Sequence, residues 1–598
     1  MSPSPASLSP KSNTGNVQCA TQPKLFFEGN NGYAQRSQAG GKYRRLARFA
    51  NLIIDNRHLF DDSGVKIVIP AVSCIQTGCF EKFVDGRGSN LRTAAAQAGS
   101  DEQIVSLFLK KEFSSSQLAE LRAAHSRHSG PIVLRASTLW EDANHVCVND
   151  MFSSIFLPNN SDSQTNFENF TLAIKRMYSD AFSSSAREQA EAQGLLPSTI
   201  SMAVVIQDVP GSQTSAYGGQ TCIYPAYSFY ANSFNDYAYN GLNPYDGYVK
   251  YVFGLGTGIK TECMNHALRV NLGEHPSFSG LKSDEKMFHQ RPKFAYALSL
   301  DAQPNLAGDG NGNLVSLPVE NLSTSILQKH LCYYNFELQR LETIQYFGTR
   351  ANRREAVLFS PADIHNGLGS LTRAVSSILL LLKNAYGSEV GFEGSADFVE
   401  GPTGRQLVIY PLDAHLQPRA WDDRLQELPS VEAGRVIFRG EKAIGRGRYK
   451  INKIVEVSDN SPTYVFGFDI ANELSQINRE LKSEGADGRY MLFAHGRIGT
   501  HSKGEGIPVS FDAIDHAAVL AEHILGESLP SQGGHFLQNI VANHTACTSY
   551  TDPHALTLAN LQSNVASVQE LNHTRVYHLA QPLEFVIDAQ KNSMLYAP

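Results

Sequence analysis

Charged residues are scarce in this chain: Asp, Glu, Lys and Arg make up 18% of its 598 residues, against roughly 25% in an average soluble protein. There is no basic excess either. Fifty-one lysines and arginines face 58 acids, a net charge of −7. That excludes a dedicated nucleic-acid binder, which neutralises phosphates with a basic face. No stretch supplies the roughly 18 consecutive apolar residues that a membrane span needs. The nearest, Ala374–Leu382, holds two serines and stops at Lys383, so no membrane partner is expected. The eight cysteines form no CxxC pair and no metal-type spacing, which fits buried, reduced thiols in a cytoplasmic protein. The first sixteen residues contain five serines and three prolines and no apolar stretch. They read as part of a disordered leader (1–34), not a signal peptide, and a leader of this composition also suits a secreted bacterial effector.

What the chain does have is 42% hydrophobic residues, 47 glycines and 24 tyrosines, enough for several buried cores; length alone suggests about four structural units. Residues Gly40–Ile54 place Leu46, Phe49, Ala50, Ile53 and Ile54 at the i, i+3, i+4, i+7, i+8 spacing of an amphipathic helix. Val65–Pro70, Pro131–Arg135 and Ser201–Gln207 read as strands, the last buried on both faces because its apolar run is nearly continuous. Phe170–Phe182 and Leu371–Ala385 read as helices. Pro418–Pro429 is polar and bounded by prolines, a linker (418–429) between a first region (35–417) and a C-terminal one (430–598). Beyond it, Arg435–Phe438, Ile454–Val457 and Arg489–Phe493 read as strands and Asp469–Glu484 as a helix. Short strands alternating with helices predict an α/β or α+β fold.

Several positions carry chemistry. Lys42 follows Gly40-Gly41 at a helix start, where a cation joins outward-facing N–H groups as a phosphate site requires. Arg135 ends a buried strand beside Ser137 and Thr138, an arrangement suited to a phosphate oxyanion; a salt bridge to Glu141 or Asp142 is the alternative. Gln207 and Asp208 leave a strand together, where a base and ribose could be contacted, or where the strand merely turns polar. Gly254 and Gly256 permit close backbone approach. Nine tyrosines between Tyr217 and Tyr251 suit an antiparallel sheet with one exposed face, or a stacking surface. Asp309, Asn311, Asn313 and Glu320 mimic a calcium loop, but Leu314 stands where that loop needs glycine, so a hairpin turn is expected. In the C-terminal region Arg497 lies in a Gly-flanked loop, and His535 follows Gly533-Gly534, where a histidine can accept a phosphoryl group, act as a base or serve structure.

Taken in order, GGKYRRLARF (Gly40–Phe49), IPAVSCIQTGCFEKFV (Ile69–Val84), VLRASTLWED (Val133–Asp142), MAVVIQDVPG (Met202–Gly211), PYDGYVKYVFGLG (Pro244–Gly256), GRIGTHSKGEGIPV (Gly496–Val509) and SQGGHFLQN (Ser531–Asn539) resemble the N-terminal ATP-grasp region of phosphoenolpyruvate synthase and pyruvate phosphate dikinase. The similarity is closest to proteins labelled PEP/pyruvate-binding-domain proteins. The resemblance implies a two-lobed nucleotide-binding region followed by a smaller α/β domain, with ATP and Mg2+ as cofactors. By the resemblance Lys42 and Arg135 are the phosphate-binding pair and Gln207-Asp208 the adenine-side strand. Asp397 remains as the metal ligand, with Ser395 where a second carboxylate is expected. Val408 and Tyr410 replace a glutamine and an arginine, and Asp150 stands where a glycine is usual. Glu393, Glu400 and Arg405 are candidate substitutes. The family's Gly-Thr-Ser-His loop and its phosphoenolpyruvate-binding barrel are missing, which argues against phosphoenolpyruvate synthesis. The expectation is an ATP-dependent phosphotransferase acting on an unidentified small-molecule or protein acceptor, with Arg135, Arg497 and His535 as catalytic residues. Its rival is a catalytically degenerate nucleotide-binding protein working through partner surfaces.

Overall fold

A computed structural model describes residues 39–597 apart from 61–64, 87–89, 139–151, 153, 185, 188–189, 191–195, 197–198, 216–219, 237–241, 257–267, 274–276, 279–282, 290–292, 303, 307–311, 319–331, 344–355, 358–367, 402–403, 418, 420, 423, 426, 459–460, 501–505, 525–533, 553–554, 557 and 592. The leader and Glu141, Asp142, Asp150, Asp309, Asn311 and Glu320 lie outside these residues.

The first lobe comprises helix α1 (Gly40–Asp55), strands β1 (Val65–Ile67) and β2 (Val72–Ile75), and helices α2 (Thr77–Asp85), α3 (Leu91–Gln97), α4 (Asp101–Lys110) and α5 (Ser115–His125). Strands β3 (Ile132–Thr138) and β4 (Ile155–Leu157), helix α6 (Ser163–Asp180) and strand β5 (Met202–Asp208) follow. Strands β2-β5-β3-β4 form an antiparallel sheet. One face of β5 (Met202, Val204, Ile206) joins the helices in one core, while Val205 meets Tyr43 and Leu46 of α1. Burial on both sides explains the unbroken apolar run. Local signals set the helix ends. Ser114 and Gln117 form a reciprocal capping box on α5, and Asp162 accepts from the Gln164 and Thr165 N–H groups at the start of α6.

Strands β6 (Ser212–Ser215), β7 (Thr221–Tyr224), β8 (Tyr227–Asn232), β9 (Tyr248–Phe253), β10 (Leu268–Asn271) and β11 (Ser277–Phe278) come next. After them lie helix α7 (Asp284–His289) and strands β12 (Phe294–Ser299), β13 (Leu314–Pro318), β14 (Cys332–Asn335), β15 (Arg340–Thr343) and β16 (Ala356–Val357). Helix α8 (Leu368–Tyr386) leads into the long hairpin β17 (Val390–Gly401) and β18 (Gly404–Leu416). A seven-stranded sheet runs β1-β18-β17-β8-β9-β10-β11. One of its faces (Phe229, Ala231, Phe392, Ala396, Ile409) packs on Phe49 and Ile53 of α1 and on Leu371, Val375 and Ile378 of α8. Polar side chains occupy the opposite face, among them Ser228, Lys250, Glu393, Ser395, Asp397 and Asp413. Among the described residues of the tyrosine-rich stretch, β7, β8 and β9 are antiparallel strands, as the composition suggests, but their Tyr224, Tyr227, Tyr230, Tyr248 and Tyr251 are all buried, and Tyr245, in the turn before β9, is the exposed one. The expected solvent-facing side is absent there because both faces of β8 and β9 are covered.

The C-terminal region contains β19 (Val436–Gly440), β20 (Lys442–Ile444), β21 (Arg446–Val457), helix α9 (Thr463–Lys482), β22 (Tyr490–Ala494), β23 (Arg497–Ile498), β24 (Gly506–Ile507) and β25 (Ala517–His523). Helix α10 (Gly534–Ala542), β26 (Ala546–Tyr550), helix α11 (Leu558–Gln562), β27 (Val565–Glu570), β28 (Thr574–Asp588) and β29 (Ser593–Tyr596) complete it. The main sheet runs β19-β29-β28-β21-β22-β25-β26-β20. Since β19 and β20 are consecutive in the chain, its two edges meet, and Thr548 Oγ1 bonds Ser593 Oγ across the join at 2.6 Å. Strands β21, β22, β25 and β26 are parallel; α9 and α10 pack on one side of them and a second core fills the other. The architecture as a whole is mixed α/β, of the α+β kind, with several separate sheets.

Candidate functional site

The first lobe meets the polar face of the seven-stranded sheet through Arg135. Helix α1 fixes that meeting. Gly40 has φ +69°, and a Cβ on it would lie 2.1 Å from the Ser137 carbonyl oxygen, so only glycine lets the helix start lie on β3. Ser137 Oγ donates to the Ala39 carbonyl (3.1 Å) and accepts from the Tyr43 N–H (3.3 Å). Lys42 Nζ donates to the Ala136 carbonyl at 3.1 Å. Lys42, 93 positions from Arg135 in sequence, is thus held against the residue that follows Arg135.

Arg135 reaches across to the β17–β18 hairpin. Its guanidinium donates to the Leu412 carbonyl (3.3 Å) and lies 3.5 Å from both Glu393 Oε2 and Asp413 Oδ2. A register shift makes this possible: Glu393 pairs with Asp413 but Gly394 pairs with Pro411, so Leu412 is an extra residue in β18. The bulge re-aims the backbone, bringing the Leu412 carbonyl and the Asp413 carboxylate to the same guanidinium. The side chains of Arg135, Glu393 and Asp413 are 12%, 19% and 7% exposed, a mostly dry cluster.

Glu393, Ser395 and Asp397 share one face of β17 by alternation. Four residues of strand cover about 13 Å, so Asp397 lies well along the strand from Arg135. Asp397 accepts from Ser212 Oγ (2.8 Å) and from the Phe398 N–H (2.8 Å). Ser395 bonds Ser228 Oγ at 2.9 Å. Burial and then the Asp397 carboxylate push the Tyr410 hydroxyl up to about 12. Register places Arg269, Lys250, Tyr230, Glu393 and Asp413 in one row across the sheet. Burial, then the neighbouring Arg269 charge, lowers the Lys250 ammonium to about 7.

On β5, Gln207 shares the face of Arg135, since Val133 pairs with Gln207 and Arg135 with Val205. Gln207 is 1% exposed and its Nε2 has no hydrogen-bond partner among the described residues. Asp208 alternates to the opposite face and bonds His128 Nδ1 at 2.6 Å. The pair expected to act together is thus divided. Gly254 has φ +69° and lies against Tyr296, where a Cβ would come within 2.1 Å of the Tyr296 carbonyl oxygen; close packing of β9 on β12 accounts for this glycine. Gly256 is the last described residue before 257–267. The side chains of Glu400 and Arg405 lie outside the described set.

In the C-terminal region Arg497 opens β23, and the next N–H, that of Ile498, donates to the fully buried Glu522 at 3.0 Å. The ring of Phe536 occupies the space beside Gly499, so the Arg497 loop packs on the first turn of α10, whose second residue is His535. Burial raises the Cys547 thiol; Glu522 adds to the rise and Arg497 opposes it. Of the residues the sequence singled out, the fold joins Lys42, Arg135 and Gln207 on one side, and Arg497 with the His535 helix on another. Asp413 was missed, and no local pattern marks it. No family model matches the sequence, and no curated protein matches it.

Proposed function

We propose that the chain is an ATP-dependent phosphotransferase with an ATP-grasp-like nucleotide site between its first two sheets, related to the N-terminal region of phosphoenolpyruvate synthase and pyruvate phosphate dikinase. The observation that carries this reading is that α1, lying on β3, ties Lys42 to the carbonyl of Ala136, the residue after Arg135, while Arg135 reaches the β17–β18 hairpin of the seven-stranded sheet. Two cations anchored from neighbouring parts of one strand would neutralise a polyphosphate, and catalysis of phosphoryl transfer is mostly positioning and charge stabilisation. The donor on Gln207, buried and unmatched within the described protein, suits a base or ribose. Triphosphate oxygens would take over the Arg135 contacts now made to Glu393 and Asp413.

Among the described residues no three His, Cys, Asp or Glu side chains form a metal cluster. Magnesium needs only one or two carboxylates beside the phosphates. Asp397 is such a carboxylate: it lies on the polar face of β17 and accepts from Ser212 and Phe398, and a hard oxygen donor of this kind suits magnesium. Magnesium, when bound with the nucleotide, supplies further charge neutralisation on the phosphates. The acceptor is presented from the C-terminal region, where Arg497 holds its anionic portion and His535 either receives the phosphoryl group or takes the proton of an acceptor hydroxyl.

The test is incubation of the full chain with labelled ATP and Mg2+, followed by mass spectrometry of the protein and analysis of the nucleotide product. Release of ADP or AMP with a phosphorylated protein or acceptor is expected, and His535→Ala abolishes transfer. Transfer that persists in that variant removes His535 from the scheme, and pyrophosphate release replaces phosphoryl by adenylyl transfer. A second reading has its own support: Ser395, tied to Ser228 where a carboxylate is expected, with Val408 and Tyr410 in place of glutamine and arginine, suits a nucleotide-binding protein without turnover. Calorimetric binding of ATP without product favours it.

A further inference from the structure

Ser73, His128 and Asp208 stand in a line that the proposed chemistry does not use. Ser73 Oγ is 2.7 Å from His128 Nε2, and His128 Nδ1 is 2.6 Å from Asp208 Oδ1. The three come from β2, the turn after α5 and the end of β5. The order of atoms is that of an acyl-transfer triad, but Ser73 is fully buried within a paired strand, so no substrate carbonyl reaches it. Its hydroxyl has one other acceptor, the Ala124 carbonyl on α5 at 3.4 Å.

Proton accounting gives the line two states. A carboxylate only accepts, so Nδ1 carries a hydrogen and donates it to Asp208. In the neutral ring Nε2 accepts the Ser73 hydroxyl hydrogen. When the ring takes up a proton, Nε2 becomes a donor to Ser73 Oγ, and the hydroxyl hydrogen must turn to Ala124, across a distance longer than a good O–H···O bond. The two proton states therefore favour different spacings of β2 and α5. Ser73 pairs with Ile206 and Asp208 ends β5, so Gln207 lies between the two anchors.

We propose that His128 is a positioning residue: its protonation state sets the placement of the β5 end and, resting on the nucleotide reading above, the affinity for ATP. The surroundings are defined. Asp208 faces His128 from β5, and His125 lies one turn back on α5 and bonds Asn159 at 2.9 Å. Arg127 is its chain neighbour, and Arg122 and Glu120 lie further back on α5. Asn159 Nδ2 donates to the carbonyls of His128 (3.4 Å) and Gly130 (2.9 Å) from a left-handed conformation, φ 49°, so the turn's backbone is fixed and the ring's proton is the variable.

The experiment follows amide hydrogen exchange of residues 203–208 in the full chain from pH 5 to 8, with Mg-ATP affinity measured by calorimetry over the same range. Wild type, His128→Gln and the smaller change Ser73→Ala are compared. The expected result is an exchange rate at the β5 end that, corrected for intrinsic chemistry, changes at least about fivefold along one titration. His128→Gln removes that titration and Ser73→Ala reduces it, while ATP affinity in wild type follows the same curve. An identical titration in wild type and either folded variant overturns the proposal, whatever ATP does. Absence of ATP binding in wild type overturns the nucleotide reading and with it the affinity claim, while the exchange data still decide the role of His128.

Discussion

Replacing Arg135 with methionine tests the cross-lobe cluster directly. The guanidinium lies 3.5 Å from each of two carboxylates whose side chains are 19% and 7% exposed. At that distance each pair is worth roughly 5 kcal/mol at an effective dielectric near 20, before the opposing cost of desolvation. Removing Arg135 leaves Glu393 and Asp413 next to one another with Arg45, 4.0 Å from Asp413, as a cation still at the cluster, and breaking a buried pair typically costs about 3 kcal/mol or more. Arg135→Met is therefore expected to destabilise the contact of β3 with β17–β18 by about 3 kcal/mol. Adding Glu393→Gln and Asp413→Asn restores part of the loss, because the two adjacent carboxylate charges are gone, while Arg45, 4.0 Å from Asp413, gives up that contact in turn. Arg135→Lys falls between, since it keeps the charge but loses the fork that also reaches the Leu412 carbonyl. With several cores, global unfolding is not one transition, so the readout is amide exchange in β3, β17 and β18 under increasing urea. A loss under about 0.5 kcal/mol in Arg135→Met, the level of an ordinary surface change, refutes the reasoning; so does a triple variant no better than the single one.

Gly40→Ala forces a left-handed conformation on alanine, which costs about 1 kcal/mol by itself, and sets a methyl 2.1 Å from the Ser137 carbonyl oxygen. It should speed amide exchange in α1 and β3 and weaken Mg-ATP binding together, because Lys42 depends on the seating of α1. His125 has its pKa lowered, by burial before any other cause, so the folded chain binds its proton less readily than the unfolded one. Its contribution is complete above the unfolded value near 6.5 and is lost as pH falls; urea titrations of His125→Gln should show a shallower acid decline. Lys250 is lowered to about 7, against about 10.4 unfolded. Stability then rises with pH between those values, and Lys250→Met should gain stability at pH 7, with the gain shrinking toward pH 10 in denaturant titrations.

Elements whose signal is local were legible. The helix spacing over Gly40–Ile54 and the apolar run over Ser201–Gln207 correspond to α1 and β5 within a residue, because one buried stripe or two buried faces impose their pattern on consecutive residues. Lys42 and Arg135 could be marked as cations at a helix start and on a strand, though only the packing of α1 on β3 makes them neighbours. Other parts depend on contacts with no local trace. A strand sequence does not announce that Leu412 is extra, so neither the turn of Asp413 toward Arg135 nor the reach of Glu393, 258 positions away, could be read. The same holds for Ser73, His128 and Asp208, separated by 55 and 80 positions. Strand alternation also divides Gln207 from Asp208, a consequence of geometry that a two-residue motif hides.

The register row Arg269–Lys250–Tyr230–Glu393–Asp413 shows how the polar face is graded. Strands stand about 4.8 Å apart, so the face changes from cationic to anionic over roughly 20 Å. Its anionic end is the one that Arg135 covers. At the cationic end, Arg269 stacks over the Tyr248 ring, 4.0 Å from its centroid, and also bonds Asn235, so that charge is already engaged within the protein. A polyanion approaching this face meets favourable potential beside Lys42 and Arg135 only if Arg135 exchanges carboxylate partners for ligand oxygens. That exchange keeps the guanidinium paired in both states, whereas Glu393 and Asp413 lose the Arg135 charge each time it occurs, with Arg45 still 4.0 Å from Asp413. A divalent cation entering with the polyanion would replace the charge that the two carboxylates lose. The ion and the polyanion would then bind with positive coupling, since each lowers the cost of the other.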